Sequence, residues 1–215
     1  MGQQPLFHAC FGMAIPDRGR ILVDGKEVLL ASPADAIRAN IGMGLVPEDR
    51  KTEGLFLKLD GRVNATLPVV QRFARAGLIQ AQAEIRAAAQ AFSRVQVDAR
   101  ALWTPAGAFS GGNQQKIALA KWLLARSRIL LLFDPTRGID VGTKHELYVL
   151  MRQYVDQGGA ILLYSTEIPE IVHLCDRALV LYDGRVRAEL HGAALSEPHI
   201  LRAALGEDTP RAAAA

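Results

Sequence analysis

Phe109-Ser110-Gly111-Gly112-Asn113-Gln114-Gln115-Lys116 decides how this chain is read. Two adjacent glycines let the backbone approach a ligand with no side chain in between, and the polar run after them opens a helix of good formers over residues 114–125. A helix start carries unpaired N–H groups and the positive end of a dipole, which suits a phosphate, and the Ser110 hydroxyl adds a donor. Taken alone, Ser-Gly-Gly is more often a plain serine cap after a loop. The surroundings decide between the two.

Downstream an apolar strand ends in an acid, Leu130-Leu131-Leu132-Phe133-Asp134-Pro135-Thr136, followed by Arg137-Gly138-Ile139-Asp140-Val141-Gly142. Upstream stands Val46-Pro47-Glu48-Asp49-Arg50-Lys51. In this order and spacing the three stretches resemble the ATP-binding cassette of ABC transporters. More narrowly, they look like the second cassette of the fused two-cassette ATPases that energise bacterial import of simple sugars. The resemblance runs from residue 2 to about residue 190. It implies an α/β, P-loop NTPase-like fold: a mostly parallel sheet flanked by helices, an antiparallel edge, and an inserted helical subdomain at about residues 61–126. The partial cassette would cover residues 1–206, with the N-terminal strand and most of the P-loop missing and a disordered tail at residues 207–215.

In that family two cassettes pack head to tail, each ATP lying between the P-loop of one and the Ser-Gly-Gly stretch of the other. By resemblance, Ser110, Gly111, Gly112, Asn113 and Gln114 would reach ATP on the partner, and Gly138, Ile139 and Asp140 would form the loop that crosses the interface. The chain's own half-site departs from the pattern. Gly2, Gln3 and Gln4 stand where a P-loop ends in Gly-Lys-Ser/Thr, and glutamine supplies neither the lysine's charge nor a magnesium-binding hydroxyl. Asp134 falls at the catalytic Glu position with Phe133 at the magnesium Asp position; an alternative alignment makes Asp134 the magnesium acid and deletes the Glu. Either way the base is shortened or lost, and a misplacement of roughly an angstrom can cost about a hundredfold. Glu48 replaces the usual glutamine, and Thr166 replaces the histidine that contacts the terminal phosphate. ATP and Mg2+ would therefore be held mainly by the partner cassette, and no metal site is expected from this chain alone. The implied partners are a second cassette, transmembrane permease subunits and, indirectly, a periplasmic sugar-binding protein, at the cytoplasmic face of the inner membrane. A regulatory nucleotide-binding module derived from a cassette is the alternative.

The bulk composition agrees with one ordinary core: 215 residues, half of them apolar. Twenty-five basic against twenty-two acidic residues give only +3, spread along the chain, which argues against a nucleic-acid partner. Lys121, Arg126 and Arg128 interrupt the apolar run from 117 to 133, so no membrane span is expected. His8/Cys10 and His173/Cys175 have the count for a zinc site, but residues two apart on a helix face different ways, and packed thiols are the simpler reading.

Local signals set the remaining expectations. Residues 5–12 read as a helix stopped by Gly12; Asp24-Gly25 marks a hairpin; Ser32-Pro33 opens a short helix; and residues 43–46 form a strand. Residues 61–97 read as helical, with Ile85, Ala88, Ala89 and Phe92 on one face, and Trp103 as a packing residue. Thr143-Lys144-His145-Glu146 reads as a capping box for a helix with Leu147, Leu150, Met151, Tyr154 and Val155 inward. Ala160–Tyr164 is expected as a buried strand, and residues 178–190 as a closing hairpin turned by Asp183-Gly184.

Overall fold

The computed structural model describes residues 2–38 and 40–207. The expected tail lies outside these apart from Glu207, whose N–H donates to the Arg202 carbonyl at 3.0 Å.

Helix α1 (Gln3–Cys10) starts two residues before Pro5, preceded by Gly2 at φ 118°. Gly12 leaves it at φ 75°, and a Cβ there would lie 2.5 Å from the Ser32 carbonyl oxygen, so the exit requires glycine twice over. Strands β1 (Ile21–Val23) and β2 (Lys26–Val28) pair antiparallel, Asp24 and Gly25 both taking the positive φ of a type I′ turn. In α2 (Pro33–Ile37) the Ser32 hydroxyl donates to Asp35 Oδ2 at 2.9 Å instead of accepting from a backbone N–H.

Strand β3 (Met43–Val46) is buried throughout, and after it one π turn (Arg50–Gly54) leads toward α3 (Gly61–Thr66). The region expected to be helical contains a small hairpin, β4 (Ala74–Arg75) with β5 (Leu78–Ile79), turned at Ala76 and Gly77. Next come α4 (Ala81–Arg94) and α5 (Gly111–Leu124), with Ala88 and Phe92 buried and Ile85 and Ala89 half-buried. Trp103 is not a packing residue: it is 60% exposed, with the Arg62 guanidinium 5.2 Å from its ring centroid. The guanidinium covers the indole face while pairing with Glu84 at 3.2 Å and Asp60 at 3.3 Å.

The chain continues through β6 (Ile129–Phe133), α6 (Val141–Asp156), β7 (Ala160–Tyr164), α7 (Ile168–Leu174), β8 (Arg177–Tyr182), β9 (Arg185–His191) and α8 (Glu197–Ala204). Strands β3, β6 and β7 form a parallel sheet in that order, with Leu131 opposite both Leu45 and Leu162. As the middle strand, β6 is a continuous apolar run covered on both faces. β7 is only half-buried, contrary to expectation, because β6 is its one strand neighbour among the described residues. The hairpins β1–β2 and β8–β9 stand as separate ribbons instead of joining that sheet as an edge.

Helix α6 begins at Val141, two residues before the expected box. Its cap is Asp140, and Glu146 reaches Lys116 on α5 at 2.5 Å rather than closing a capping box. Leu147 and Met151 are buried, while Leu150, Tyr154 and Val155 are half-buried. Helix α5 is locked onto the sheet at Gly44, where a Cβ would lie 2.6 Å from the Trp122 ring, and the Trp122 indole donates to the Leu45 carbonyl at 2.7 Å. Ile117, Leu132, Leu147 and Val46 are fully buried around this contact.

Candidate nucleotide-binding edge and pocket

Ser110 caps α5. Its Oγ accepts from the Asn113 amide at 3.1 Å and, at 3.5 Å, from the Asn113 backbone N–H. The first intrahelical bond runs from Gln114 N–H to the Ser110 carbonyl at 2.9 Å, which leaves the N–H groups of Gly111 and Gly112 ahead of it without an intrahelical partner, Gly112 itself being buried. Ser110 is exposed, and Gly111 and Asn113 are half-exposed. Gln114, by contrast, turns inward: it is 5% exposed and its amide donates to the Phe109 carbonyl at 2.9 Å. It fastens the approach to the helix and presents no amide at the surface.

The two glycines answer to two different neighbours. A Cβ on Gly111 would lie 2.5 Å from Arg50 Nη2, and a Cβ on Gly112 would overlap the Thr143 methyl and lie 2.9 Å from its Oγ1. The first turns of α5 and α6 are thus packed directly together. Asp140 caps α6 by accepting from Thr143 N–H at 3.0 Å and from the Thr143 hydroxyl at 2.8 Å. The N–H bond first, and then the hydroxyl, hold its carboxyl below the usual aspartate range. Ile139 is buried beneath this loop, and Gly138 turns it at φ 67°.

Two arginines that the sequence reading did not weigh bind this edge to the Glu48 segment. Arg137 forms an ion pair with Glu48, and Arg50 Nη1 donates to the Arg137 carbonyl at 3.4 Å while its guanidinium lies against Gly111. Arg50 stood in plain view in the stretch from Val46 to Lys51. Nothing in the sequence says that it reaches a helix sixty residues on.

On the other side of Glu48 is a cavity of about 240 Å³, lined among others by Gln4, Phe7, Leu45, Glu48 and Phe133. The Phe133 ring stacks on Tyr164 at 4.4 Å between centroids and meets Phe7 edge-on at 5.2 Å. The position expected for a magnesium-binding acid is therefore the centre of an aromatic cluster. Asp134 is 2% exposed, sits at φ 49°, and donates its N–H to the Tyr164 carbonyl at 2.7 Å. Its carboxylate accepts the Thr166 N–H at 3.2 Å and the Thr166 hydroxyl at 2.9 Å. Gly2 lies against Leu181 and Gly184 at the β8–β9 turn, Gln3 starts α1, and only Gln4 of the three reaches the cavity. These groups do not fit a magnesium ion: Asp134 is occupied by Thr166, Glu48 by Arg137, and Asp49 by the Lys51 N–H and the Thr52 hydroxyl, and although Glu53 and His8 also line the cavity, no three acidic or imidazole groups among the described residues come together to hold a metal.

A family model of ABC transporters matches residues 2–137. The chain belongs to that family. The cassette is 48% identical over 212 residues to the ribose import ATP-binding protein RbsA 1 of Mesorhizobium japonicum, covering 97% of this chain and 41% of the relative. It is 47% identical over 204 residues to that of Rhizobium johnstonii (95% and 40%), and 36% identical over 205 residues to RbsA of Bacillus subtilis (95% and 41%). The cassette thus spans about two fifths of the length of the curated relatives it matches. Among solved structures it is similar to a nucleotide-free ATP-binding cassette of an ABC transporter, with TM-score 0.76, 17% identity, and coverage of 95% of this chain and 84% of that one. It is also similar to a dimeric cassette bound to ADP and phosphate, with TM-score 0.71, 18% identity, and coverage of 88% and 80%. At these identities the likeness is one of fold.

Proposed function

We propose that this chain is the second cassette of an ATPase that drives import of a simple sugar, ribose being the one named in its relatives. In this reading residues 1–206 are one cassette with a helical insert at about 61–126, and a first cassette in the same polypeptide holds the ATP and Mg2+ that are turned over. The observation that carries the reading is an asymmetry. The α5 start and the Asp140 loop lie at the surface, with the Ser110 hydroxyl and the Gly111 N–H finding no acceptor within the helix, whereas at the chain's own half-site stand Phe133, stacked on Tyr164, and a buried Asp134 already bonded to Thr166.

The Ser110 hydroxyl and the N–H groups of Gly111 and Gly112 donate to the terminal phosphate on the partner, where charge spreads during phosphoryl transfer. Gln114 and Thr143 act behind them, keeping the helix start in place so that no reorganisation is needed when charge develops. Asp140, preset by its cap bonds, fills the adjoining part of the interface. Among the described residues no helix is long and apolar enough to cross a membrane. In the proposed assembly the cassette sits on permease subunits at the cytoplasmic face, and a periplasmic sugar-binding protein delivers the solute.

An ATPase assay tests this. The isolated chain hydrolyses almost nothing, and Ser110→Arg in the two-cassette protein abolishes turnover. Substantial hydrolysis by the isolated chain rejects the assignment.

A further inference from the structure

We infer that Glu170 is a positioning residue for ATP turnover, tying the loop after β6, which carries Asp140, to the turn after β7, which carries Thr166. Glu170 lies in the first turn of α7 and is 5% exposed. Its Oε1 accepts the Thr136 hydroxyl at 2.7 Å and the Tyr148 hydroxyl at 2.5 Å; its Oε2 accepts the Ser165 hydroxyl at 2.6 Å and lies 2.9 Å from Thr136 Oγ1. Lys144 Nζ is 3.8 Å from the same carboxylate and forms an ion pair with Glu167. Three hydroxyls from three segments therefore spend their protons on one carboxylate, and bonds to an ionised acceptor are about twice as strong as neutral ones. Burial first, and then the bond to Glu170, push the Tyr148 phenol above its ordinary pKa, so it remains a donor.

The place of this cluster gives it a role beyond stability. The backbone ladder between β6 and β7 ends at Phe133 and Tyr164, with one further bond from Asp134 N–H to Tyr164. Past that point side chains alone fix the two loops against each other. Asp134 to Thr166 is one tie, and Thr136 to Ser165 through Glu170 is the other. Thr136 stands four residues before Asp140, and Ser165 stands next to Thr166, so losing Glu170 lets the interface loop drift from the geometry that the Asp140 cap presents. A misplacement of roughly an angstrom lowers a rate by about a hundredfold without weakening ground-state binding.

The inference rests on the proposed transfer of function to the partner's site, and steady-state kinetics of the two-cassette ATPase separate the two. Glu170→Ala is expected to lower kcat by about tenfold to a hundredfold with KM for ATP within about twofold. Glu170→Gln is expected to recover kcat to within about threefold of the parent, because its carbonyl still accepts from Thr136 and Tyr148 and its amide can donate to Ser165. Thr136→Val, which removes one hydroxyl at constant volume, should follow Glu170→Ala, and it decides the matter if the alanine variant does not fold. All rates are taken well below each variant's melting temperature. A folded Glu170→Ala or Thr136→Val with kcat within about twofold of the parent overturns the inference, as does a glutamine variant no better than alanine. If Ser110→Arg kills turnover while the Glu170 series does not, the positioning role alone fails. If Ser110→Arg leaves turnover intact, the proposed function fails and the inference with it.

Discussion

The start of α5 and the pocket beside α1 use the same kinds of group and treat them in opposite ways. At α5 the exposed Ser110 hydroxyl and the Gly111 N–H are backed by Gln114 and Arg50 and find no acceptor within the helix, while Asp140 spends both carboxylate oxygens on Thr143 but stays at the surface. In the pocket Asp134 is bonded to Thr166, Glu48 to Arg137, and Phe133 to Tyr164 and Phe7. In the proposed reading the first is a working surface and the second a retired one, sharing one fold. Preorganised donors need neighbours that fix them without consuming them. A catalytic group whose bonds are satisfied internally becomes an ordinary structural part.

The contrast breaks first at Gly112. Gly112→Leu drives a side chain into Thr143 and misaligns both outward elements, so turnover of the two-cassette ATPase should fall by about a hundredfold or more. The overpacking should also cost about 1–3 kcal/mol, read as a lower urea midpoint.

The next largest effect concerns the link between the two regions. Lys121 on α5 donates to the Gly54 carbonyl at 2.8 Å, in the turn after Glu48, and burial lowers its pKa to about 8. Its folded pKa lies below its unfolded one, so between about pH 8 and the ordinary lysine value near 10.4 the unfolded chain binds more protons and stability rises with pH. Denaturant titrations should show the parent gaining up to about 3 kcal/mol over that window relative to Lys121→Met, with no difference in slope below pH 7. Equal slopes above pH 8 would mean that Lys121 is hydrated rather than buried.

A smaller effect tests whether Asp134 has become structural. Asp134→Ala orphans the Thr166 N–H and places alanine at φ 49°, and should cost about 1–3 kcal/mol by chemical denaturation. Asp134→Asn keeps an acceptor and tolerates that backbone, so it should be nearly silent in the same titration. Asparagine as damaging as alanine would show that the negative charge itself is required.

The smallest effect is at Asp140. Its carboxyl is depressed by the Thr143 N–H and hydroxyl, so the contribution of the cap is complete above the ordinary aspartate pKa near 3.9 and is lost as pH falls through the lower folded value. Amide exchange at Thr143 should speed up over that acidic range, and Asp140→Asn should flatten the response.

How much of this was legible follows from where each signal lives. Strands β3 and β6 could be read because continuous apolar runs end in punctuation, at Pro47 and at Asp134-Pro135. The α6 start is misplaced because Asp140 reads as an interface or turn acid and Thr143 as the cap, although Asp140 three positions before Thr143 is itself a capping pattern. The small hairpin at Ala76-Gly77 was hidden in an alanine- and arginine-rich stretch whose composition favours helix. Glu170 was invisible for a different reason. Its partners lie 5, 22 and 34 residues away, and only the packing of α6 and α7 against the ends of β6 and β7 brings them to one point.

The absent side chain at Gly112 also limits what can be transplanted. With Thr143 filling that space, the eight-residue stretch around Ser110 is half of a two-piece joint whose mate lies some thirty residues downstream. A graft carrying Ser-Gly-Gly alone onto another helix would bring the letters without the backing that aims them; one that also imports the first turn of α6 would bring a complete part.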